Sequence, residues 1–505
     1  MEPACLRHTE LPHTSRLFSD FLYQYHRVER FFTTPPSAGY PEERRPEMVA
    51  ALEAQNGPHP SLDVLNRSGS VAVVTGQQVG LFSGPAYTIY KALTAARLAE
   101  QLTAAGTPAV PVFWLATEDH DFAEVSHCWG FDQTTRPVRF EVNGHSGSNR
   151  PVGGIEIEHW PIEQLRASLT GLPYEDEVVK LVEGAYRPGA SLGGAFQKLL
   201  EPLLKPYGFL FVDPLHPATR KLAAPMLQQA VSIGKELNQL LLNRSKELEA
   251  AGYHAQVHVE RGTSLFFLLE GGKRIPVRDV KYTSQQLAER AEQISPNALL
   301  RPVVQDYMLP TAAYIGGPAE IAYFAQSQVL YQRLLGHMPR VVSRSGFTLF
   351  DSRSAKLMER YGLRPKAFFS GEEALRELIA TRLVPSNLDQ RFDGLSQSMS
   401  ESLEALRKEV LAYDPTLSSA VDKSRAKMTY QLAKLRAKVA RETLRRNQKA
   451  SEDTEFLYNT IYPHKHLQER FYSILPFLAR HGFDLVDRLY DSVRLDCPDH
   501  ILLSI

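Results

Sequence analysis

Val71-Ala-Val-Val-Thr-Gly-Gln-Gln-Val-Gly-Leu-Phe-Ser-Gly-Pro-Ala-Tyr-Thr-Ile-Tyr-Lys91 decides the fold of this chain of 505 residues. Four apolar residues open it, three of them β-branched, and predict a buried strand. A loop with Gly76, Gly80 and Gly84 follows, and from Pro85 a helical pattern runs through Tyr87, Tyr90, Leu93 and Leu98. Strand, glycine loop and helix start are the means by which an α/β fold offers backbone N–H groups to an anion. The glycine spacing matches neither G-x-G-x-x-G nor the P-loop, so neither standard nucleotide chemistry follows from it. An ordinary strand-to-helix connection would carry the same glycines.

Gly106-Thr-Pro108 ends the helix, and Ala109–Ala116 is a second buried apolar run. Two strands joined by one helix make a βαβ unit, with parallel strands and a right-handed crossover. Directly behind the second strand stands Thr117-Glu-Asp-His-Asp-Phe-Ala-Glu124. Four successive ionisable residues at the carboxyl end of a parallel strand mark the edge where α/β sheets bind ligands.

Outward from this unit, Phe21, Leu22, Tyr25, Val28 and Phe32 predict one helix from Ser19 to Phe32, ended by Pro35, Pro36 and Pro41. Alternation over Pro137–Val142 and Gly154–Glu158 predicts a β-hairpin, which interrupts the βα rhythm as an insertion. Helices are expected over 164–186, 191–205 and 218–250, with a buried strand over Gly208–Asp213. Tyr253–Val259 and Ser264–Leu269 read as an antiparallel pair, extended by 274–282. Ala312–Ile315 is a further core strand, and Gly316-Gly-Pro318 turns the chain into a helix. Glu320 then falls in its first turn, as a cap or as a substrate contact. Arg340–Ser343 and Phe347–Phe350 supply more strands.

Beyond about 390, Leu395, Met399, Leu403, Leu406, Val410 and Tyr413 repeat at helical spacing. After Asp414-Pro415 a second series runs from Leu417 to Val439, which predicts a helical hairpin or coiled coil. Between Lys423 and Lys449 there are ten Lys or Arg and one acid, Glu442. Arg441, Arg445 and Lys449 lie one turn apart and are the phosphate candidates of this helix. His464 and His466 share no helical face and make a poor metal pair. Ile501–Ile505 is expected to dock as a terminal segment.

The 57 basic and 57 acidic residues cancel, so no global field favours nucleic acid or membrane. Cys5, Cys128 and Cys497 form no C-x-x-C pair. Few cysteines and no long apolar run lead to the expectation of a cytoplasmic protein. Asp119, His120, Asp121 and His127 are zinc-ligand types, but adjacent residues rarely converge on one ion, and no metal is expected.

The combination of Thr75-Gly-Gln-Gln-Val-Gly-Leu81, Gly84-Pro-Ala-Tyr-Thr-Ile-Tyr-Lys91, Pro111-Val-Phe-Trp-Leu-Ala-Thr-Glu-Asp-His-Asp-Phe122, Gly316-Gly-Pro-Ala-Glu-Ile-Ala-Tyr323 and Leu467-Gln-Glu-Arg470 closely resembles the cysteine ligase family of bacillithiol biosynthesis. The match runs over essentially the whole chain. It implies a Rossmann-like parallel-sheet core (1–388) with connecting-peptide insertions at about 136–200 and 250–298. An α-helical coiled-coil arm (389–455) that dimerises and a C-terminal helical segment (456–505) that docks on the core complete the implied layout.

The implied reaction is amide formation between L-cysteine and glucosaminyl-malate, the last step toward the low-molecular-weight thiol, with ATP and Mg²⁺ expected for activation. His120, Asp119 and Asp121 are then the catalytic candidates, His120 as base or oxyanion donor. The backbone of Gly76–Gly80 would hold a phosphate or the malyl carboxylates, and Gln77 and Gln78 would meet sugar hydroxyls. Glu118 and Glu320 would take the cysteine ammonium or Mg²⁺, and Tyr87 and Gly317 complete the substrate-binding set. Two other readings stand beside this one. One is a nucleotidyltransferase acting on another acceptor; the other is a dimeric scaffold that binds RNA or a protein through its basic helix.

Overall fold

The computed structural model describes residues 4–34, 39–144, 149–277 and 282–505. Pro35, Pro36 and part of the expected 274–282 strand fall outside these residues. The chain forms two compact units, one of residues up to Leu349 with Glu469–Leu503, the other Phe350–Gln468.

The first unit is built on five parallel strands: β1 (Val71–Gln77), β2 (Ala109–Leu115), β3 (Leu210–Val212), β4 (Thr311–Gly316) and β5 (Arg340–Ser343). Their spatial order is β5-β4-β1-β2-β3. Val74 of β1 lies opposite Val112 of β2 on one side and Tyr314 of β4 on the other. Residues of β1, β2 and β4 are buried on both faces, which explains runs of apolar residues without polar alternation. Val73, Phe113, Phe211 and Ile315 point to one core with the helix α1 (Tyr87–Ala104). Val74, Val112, Trp114 and Tyr314 point to the other, with helices α2 (Pro217–Ser232) and α3 (Pro318–Leu334). The chain leaves β1 toward β2 and β3 but later returns on its other side as β4. β1 and β4 are therefore the neighbours between which the strand order reverses, and a crevice opens at their carboxyl ends.

Three local expectations change. The helix at Ser19–Phe32 is an α-helix only over Arg16–Tyr23, followed by short 3₁₀ turns at Tyr25–Arg27 and Glu29–Phe31. Phe21, Phe32 and Tyr25 still pack edge to edge, so the apolar spacing reports a cluster, not one continuous helix. Pro137–Glu141 pairs with His127–Phe131, and Glu156–Ile157 pairs with Ala190–Ser191, so the two alternating runs are strands with different partners. Residues 253–259 form no strand. Phe266–Glu270 pairs instead with Lys273–Pro276 and Ile294–Pro296 in a three-stranded antiparallel sheet.

Cys5 lies opposite Ile501, so the C-terminal strand His500–Ser504 pairs with a short N-terminal strand, Ala4–Leu6. Phe471, Leu475, Phe477 and Leu478 enter the first core, which ties residues after 469 to the sheet unit.

The second unit is helical. Ser386–Tyr413 and Ser418–Arg446 run antiparallel about a turn in which the Asp414 side chain accepts from the Thr416 N–H at 2.8 Å. Arg436 pairs with Asp389 and Asp393, and Arg407 with Asp422, a register that fixes the hairpin. Among the described residues no helix is long and apolar enough to cross a membrane.

Candidate active site

A cavity of about 550 Å³ occupies the crevice at the carboxyl ends of β1, β2 and β4. The strands deliver Gly76 and Gln77, Trp114 and Tyr314; the loops behind them deliver Gln78, Glu118, Asp119 and Gly317, and the first turn of α3 delivers Glu320. The sequence places these residues far apart, and the topological switch brings them to one wall.

The corner between β1 and β4 is built on a buried lysine. Lys91 is 1% exposed and its Nζ lies 2.8 and 2.7 Å from the two Glu320 carboxylate oxygens. It also donates to the Gly76 carbonyl and, at 3.3 Å, to Gln77 Oε1. Glu320 further accepts from the Tyr314 hydroxyl at 2.7 Å and the Gly317 N–H at 2.8 Å. Burial works against the charge of Glu320, but Lys91 and these donors outweigh it and hold the carboxyl below its usual range. Burial pushes Lys91 down, opposed by Glu320. Glu320 therefore caps α3 and neutralises Lys91, and its oxygens are already occupied.

The glycine loop does not expose a row of free N–H groups. The Gly80 N–H donates to the Gln78 carbonyl at 2.9 Å and the Gly84 N–H to the Leu81 carbonyl at 2.9 Å. The Ala86 N–H, at the start of α1, donates to the Tyr472 carbonyl at 2.7 Å. Phe82, Ser83 and Gly84 all have positive φ, a cost for the two non-glycine residues that the packing around them must offset. Ser473 holds this turn by donating to the Phe82 carbonyl at 2.9 Å. Gly76 is confined for another reason: a Cβ there would stand 2.9 Å from the Trp114 carbonyl oxygen.

At the β1–β2 edge Asp119 is the hub. Its Oδ2 accepts from Gln78 Nε2 at 2.5 Å, and its Oδ1 accepts from the His120 N–H at 2.7 Å and faces Arg274 at 3.4 Å. Burial raises the Asp119 carboxyl, yet these contacts prevail and hold it below its ordinary value. Arg274 comes from the antiparallel sheet, stacks over Phe267 at 3.9 Å and donates to the His120 ring nitrogen Nδ1 at 3.2 Å. A guanidinium has no acceptor, so Nδ1 must accept and the imidazole proton sits on Nε2. Glu118 is buried against Arg220, and burial pushes its carboxyl up against the pull of Arg220 and Arg274. Asp121 caps the short helix Phe122–Val125 by accepting from the Glu124 N–H at 3.2 Å.

Two polar atoms on the wall have no partner among the described residues: Gln78 Oε1, an acceptor, and Trp114 Nε1, a donor. Such buried atoms are costly unless a ligand or water satisfies them. Arg301 and Arg470 also line the cavity and make no ion pair among the described residues. Arg301 donates to Gln305 and to the Tyr323 hydroxyl, both at 3.0 Å, and Arg470 lies 5.6 Å from the Tyr87 ring centroid. Arg344, by contrast, is bound by Glu469, which is buried and held down at about 2 by that arginine against the opposing effect of burial.

Of the sequence candidates, Gly76, Gln77, Gln78, Tyr87, Glu118, Asp119, Gly317 and Glu320 line this cavity. Gly80 lines a smaller adjoining pocket of about 140 Å³. His120 is attached through Arg274 and Asp119. Arg441 and Arg445 lie on the long basic helix, but Lys449 belongs to the next one, Gln448–Ile461, so the three do not form one helical face. Asn447 makes the break by accepting from the Ala450 N–H at 3.1 Å. Among the described residues no group of three His, Cys, Asp or Glu side chains is arranged to hold a metal ion.

Sequence reasoning did not assign Lys91, Trp114, Arg274, Arg301 or Arg344. Only Lys91 carried a signal: a lysine one turn after Tyr87 on a helix otherwise apolar around it.

Residues 1–345 match the N-terminal Rossmann-like domain of bacillithiol biosynthesis BshC, and residues 347–505 match its C-terminal coiled-coil domain. The chain belongs to the BshC family. It is 50% identical to a protein of Solibacter usitatus over the full length of both chains, and 36% identical to one of Koribacter versatilis, again over both full lengths. A relative from Symbiobacterium thermophilum is 31% identical over 95% of this chain and 94% of its own. Each of the three bears the name "Putative cysteine ligase BshC". The Rossmann-like fold with a helical second domain, expected from the motifs, is the fold of this family.

Proposed function

We propose that this protein is the cysteine ligase of bacillithiol biosynthesis, joining the carboxyl of L-cysteine to the amine of glucosaminyl-malate. The observation that carries the reading is the pair of unneutralised cations, Arg301 and Arg470, on a cavity that also holds carboxylates and two orphaned polar atoms. Glucosaminyl-malate brings two carboxylates, an ammonium and a set of hydroxyls; cysteine brings one carboxylate and one ammonium. Arg301, beside the Trp114 indole, suits a malyl carboxylate as a charge-assisted donor. Gln78 Oε1 suits a sugar hydroxyl or an ammonium.

A free carboxylate is a poor electrophile, so ATP with Mg²⁺ is the proposed activator. It supplies a phosphate-type leaving group on the cysteine carboxyl. Arg470, exposed on the cavity rim, is the side chain here that fits a phosphate. Asp119, held ionised, suits an ammonium by charge. His120, with its proton on Nε2, suits a developing oxyanion as a donor better than it suits the role of base.

A homodimer through the second unit is part of the proposal. The hairpin of 28- and 29-residue helices exposes Leu395, Leu406, Met428, Tyr430 and Leu435, and only Phe392, Ala440 and Leu444 on it are buried. Leu395 with Leu406, and Met428 with Leu435, share a face of their respective helices, and these apolar faces are expected to be covered by a second copy. Light scattering that returns a monomer mass would reject this arrangement.

The reaction is tested by mixing purified protein with glucosaminyl-malate, cysteine and ATP–Mg²⁺ and following products by mass spectrometry. The expected result is bacillithiol together with AMP or ADP. Product formed equally without ATP would overturn the activation step, and absence of product would overturn the ligase assignment.

A further inference from the structure

Four carboxylates line the cavity: Glu118, Asp119, Glu124 and Glu320. Amide formation requires one of the groups around the amine to remove a proton. The amine reaches the protein as an ammonium; its nitrogen has no lone pair until that proton is gone. A base for this step needs a free oxygen lone pair, access to the cavity and real proton affinity.

Three of the four fail on one of these counts. Glu320 has its oxygens filled by Lys91, Tyr314 and the Gly317 N–H. Asp119 is satisfied by Gln78, the His120 N–H and Arg274, contacts that lower its proton affinity. Glu118 is buried in its ion pair with Arg220. His120 accepts from Arg274 through the only ring nitrogen with a free lone pair.

Glu124 is different. It lies on the short helix Phe122–Val125, exposed at the mouth, and borders both the main cavity and the adjoining pocket of about 140 Å³. Its side chain makes no hydrogen bond or ion pair among the described residues. Tyr87 from α1, His127 from the following strand and Arg470 from the C-terminal segment share its pocket. Although the residue is exposed overall, its carboxyl loses water against the pocket walls; this is the larger influence, and with Asp119 and Asp121 facing it from its own segment it pushes the carboxyl above the usual range.

We propose that Glu124 is the general base of the ligation, taking the proton from the acceptor ammonium so that the freed amine can attack. This rests on the ligase reading above. The amine lone pair forms the N–C bond to the cysteine carbonyl carbon. The C–O bond to the phosphate-type leaving group, supplied by the nucleoside triphosphate, breaks and carries its electron pair away. Nitrogen sheds two protons on the way from ammonium to amide: the first, which frees the lone pair, ends on a Glu124 oxygen, and the second, lost once the N–C bond has formed, leaves with the phosphate-type leaving group or to solvent.

The test compares wild type with Glu124→Gln in the product assay across pH. Substitution is expected to lower kcat by about 10²–10⁴-fold with KM for glucosaminyl-malate little changed. The wild-type rate should fall as pH drops through the Glu124 titration, above the usual glutamate range, and the variant should lose that acid limb. A Gln variant with wild-type kcat and the same acid limb would overturn the role while leaving the ligase reading intact. Wild-type protein that forms no amide would overturn both. Should Glu124→Gln melt earlier than wild type, Glu124→Asp decides: the shorter carboxylate is expected to lower kcat at least about tenfold, and unchanged turnover would reject the proposal.

Discussion

Lys91 and Arg445 are both cations on helices, and each pairs with a glutamate. Lys91 is 1% exposed against Glu320 at 20%; Arg445 is 75% exposed against Glu442 at 39%. The first pair is largely shielded from water, with Lys91 behind Glu320 in the wall of a cavity. The second stands on a solvated helix beside other arginines. Both regions attract attention in the sequence, one as a glycine loop with an acidic cluster and the other as a run of ten basic residues. Burial separates them: a charge matters in proportion to how little water can replace its partner.

The strongest way to break this contrast is Glu320→Gln. It leaves the Lys91 ammonium buried with carbonyl partners but no counter-charge, and should cost about 3–5 kcal/mol of stability. Denaturant melts at neutral pH measure it. A loss under about 1 kcal/mol would show that Lys91 is solvated or sheds its proton readily, and the corner would then resemble the surface pair.

Next in size is the acid response of Glu469. Its folded value of about 2 lies below the ordinary 4.5, so the Arg344 pair stabilises the fold fully above about 4.5. That contribution disappears as pH falls from about 4.5 through about 2. A shift of this size corresponds to roughly 3 kcal/mol as an upper limit. Glu469→Gln should flatten the stability slope across this window; an unchanged slope would mean that other carboxylates drive acid unfolding.

How much of this was legible depends on which property a residue signals. β1, β2 and β4 were visible because buried parallel strands read as apolar runs. Asp119 and His120 were visible because polar residues directly behind such a run have few structural uses. Their partner Arg274 was not, since it arrives from an inserted sheet 155 residues later and no local pattern announces it. Alternation identified Pro137–Glu141 as a strand but said nothing of its partner, because period two reports a buried face and not a register. The basic run reads as one face only if lysine and arginine spacing continues across Asn447, whose side chain starts a new helix. Asn is a strong N-cap, so that boundary was present in the sequence and was outweighed by charge.

Within the cavity, Arg301 and Arg470 sharpen the contrast, because they are cations still waiting for a partner. Arg301→Met should raise KM for glucosaminyl-malate about 10–100-fold, the loss of a hydrogen bond to a charged group, while leaving KM for ATP nearly unchanged. Arg470→Met should do the reverse. Steady-state kinetics with each substrate varied in turn separates the two. If both variants shift the same constant, the cations serve one ligand and the proposed division fails.

The smallest expected effect belongs to the second unit. Arg445 is engaged with Glu442 at 2.8 Å, Arg441 faces Glu377 at 3.6 Å, and Lys449 stands on the next helix. Replacing all three by alanine should change turnover and KM for ATP by no more than about two-fold, as for surface substitutions. This triple variant is also the sharpest test of where the nucleotide binds. A tenfold rise in KM for ATP would move the phosphate site from Arg470 to the helical unit. In that case solvated charges, made effective by the triphosphate's own charge density, would do what burial was assigned to do in the cavity.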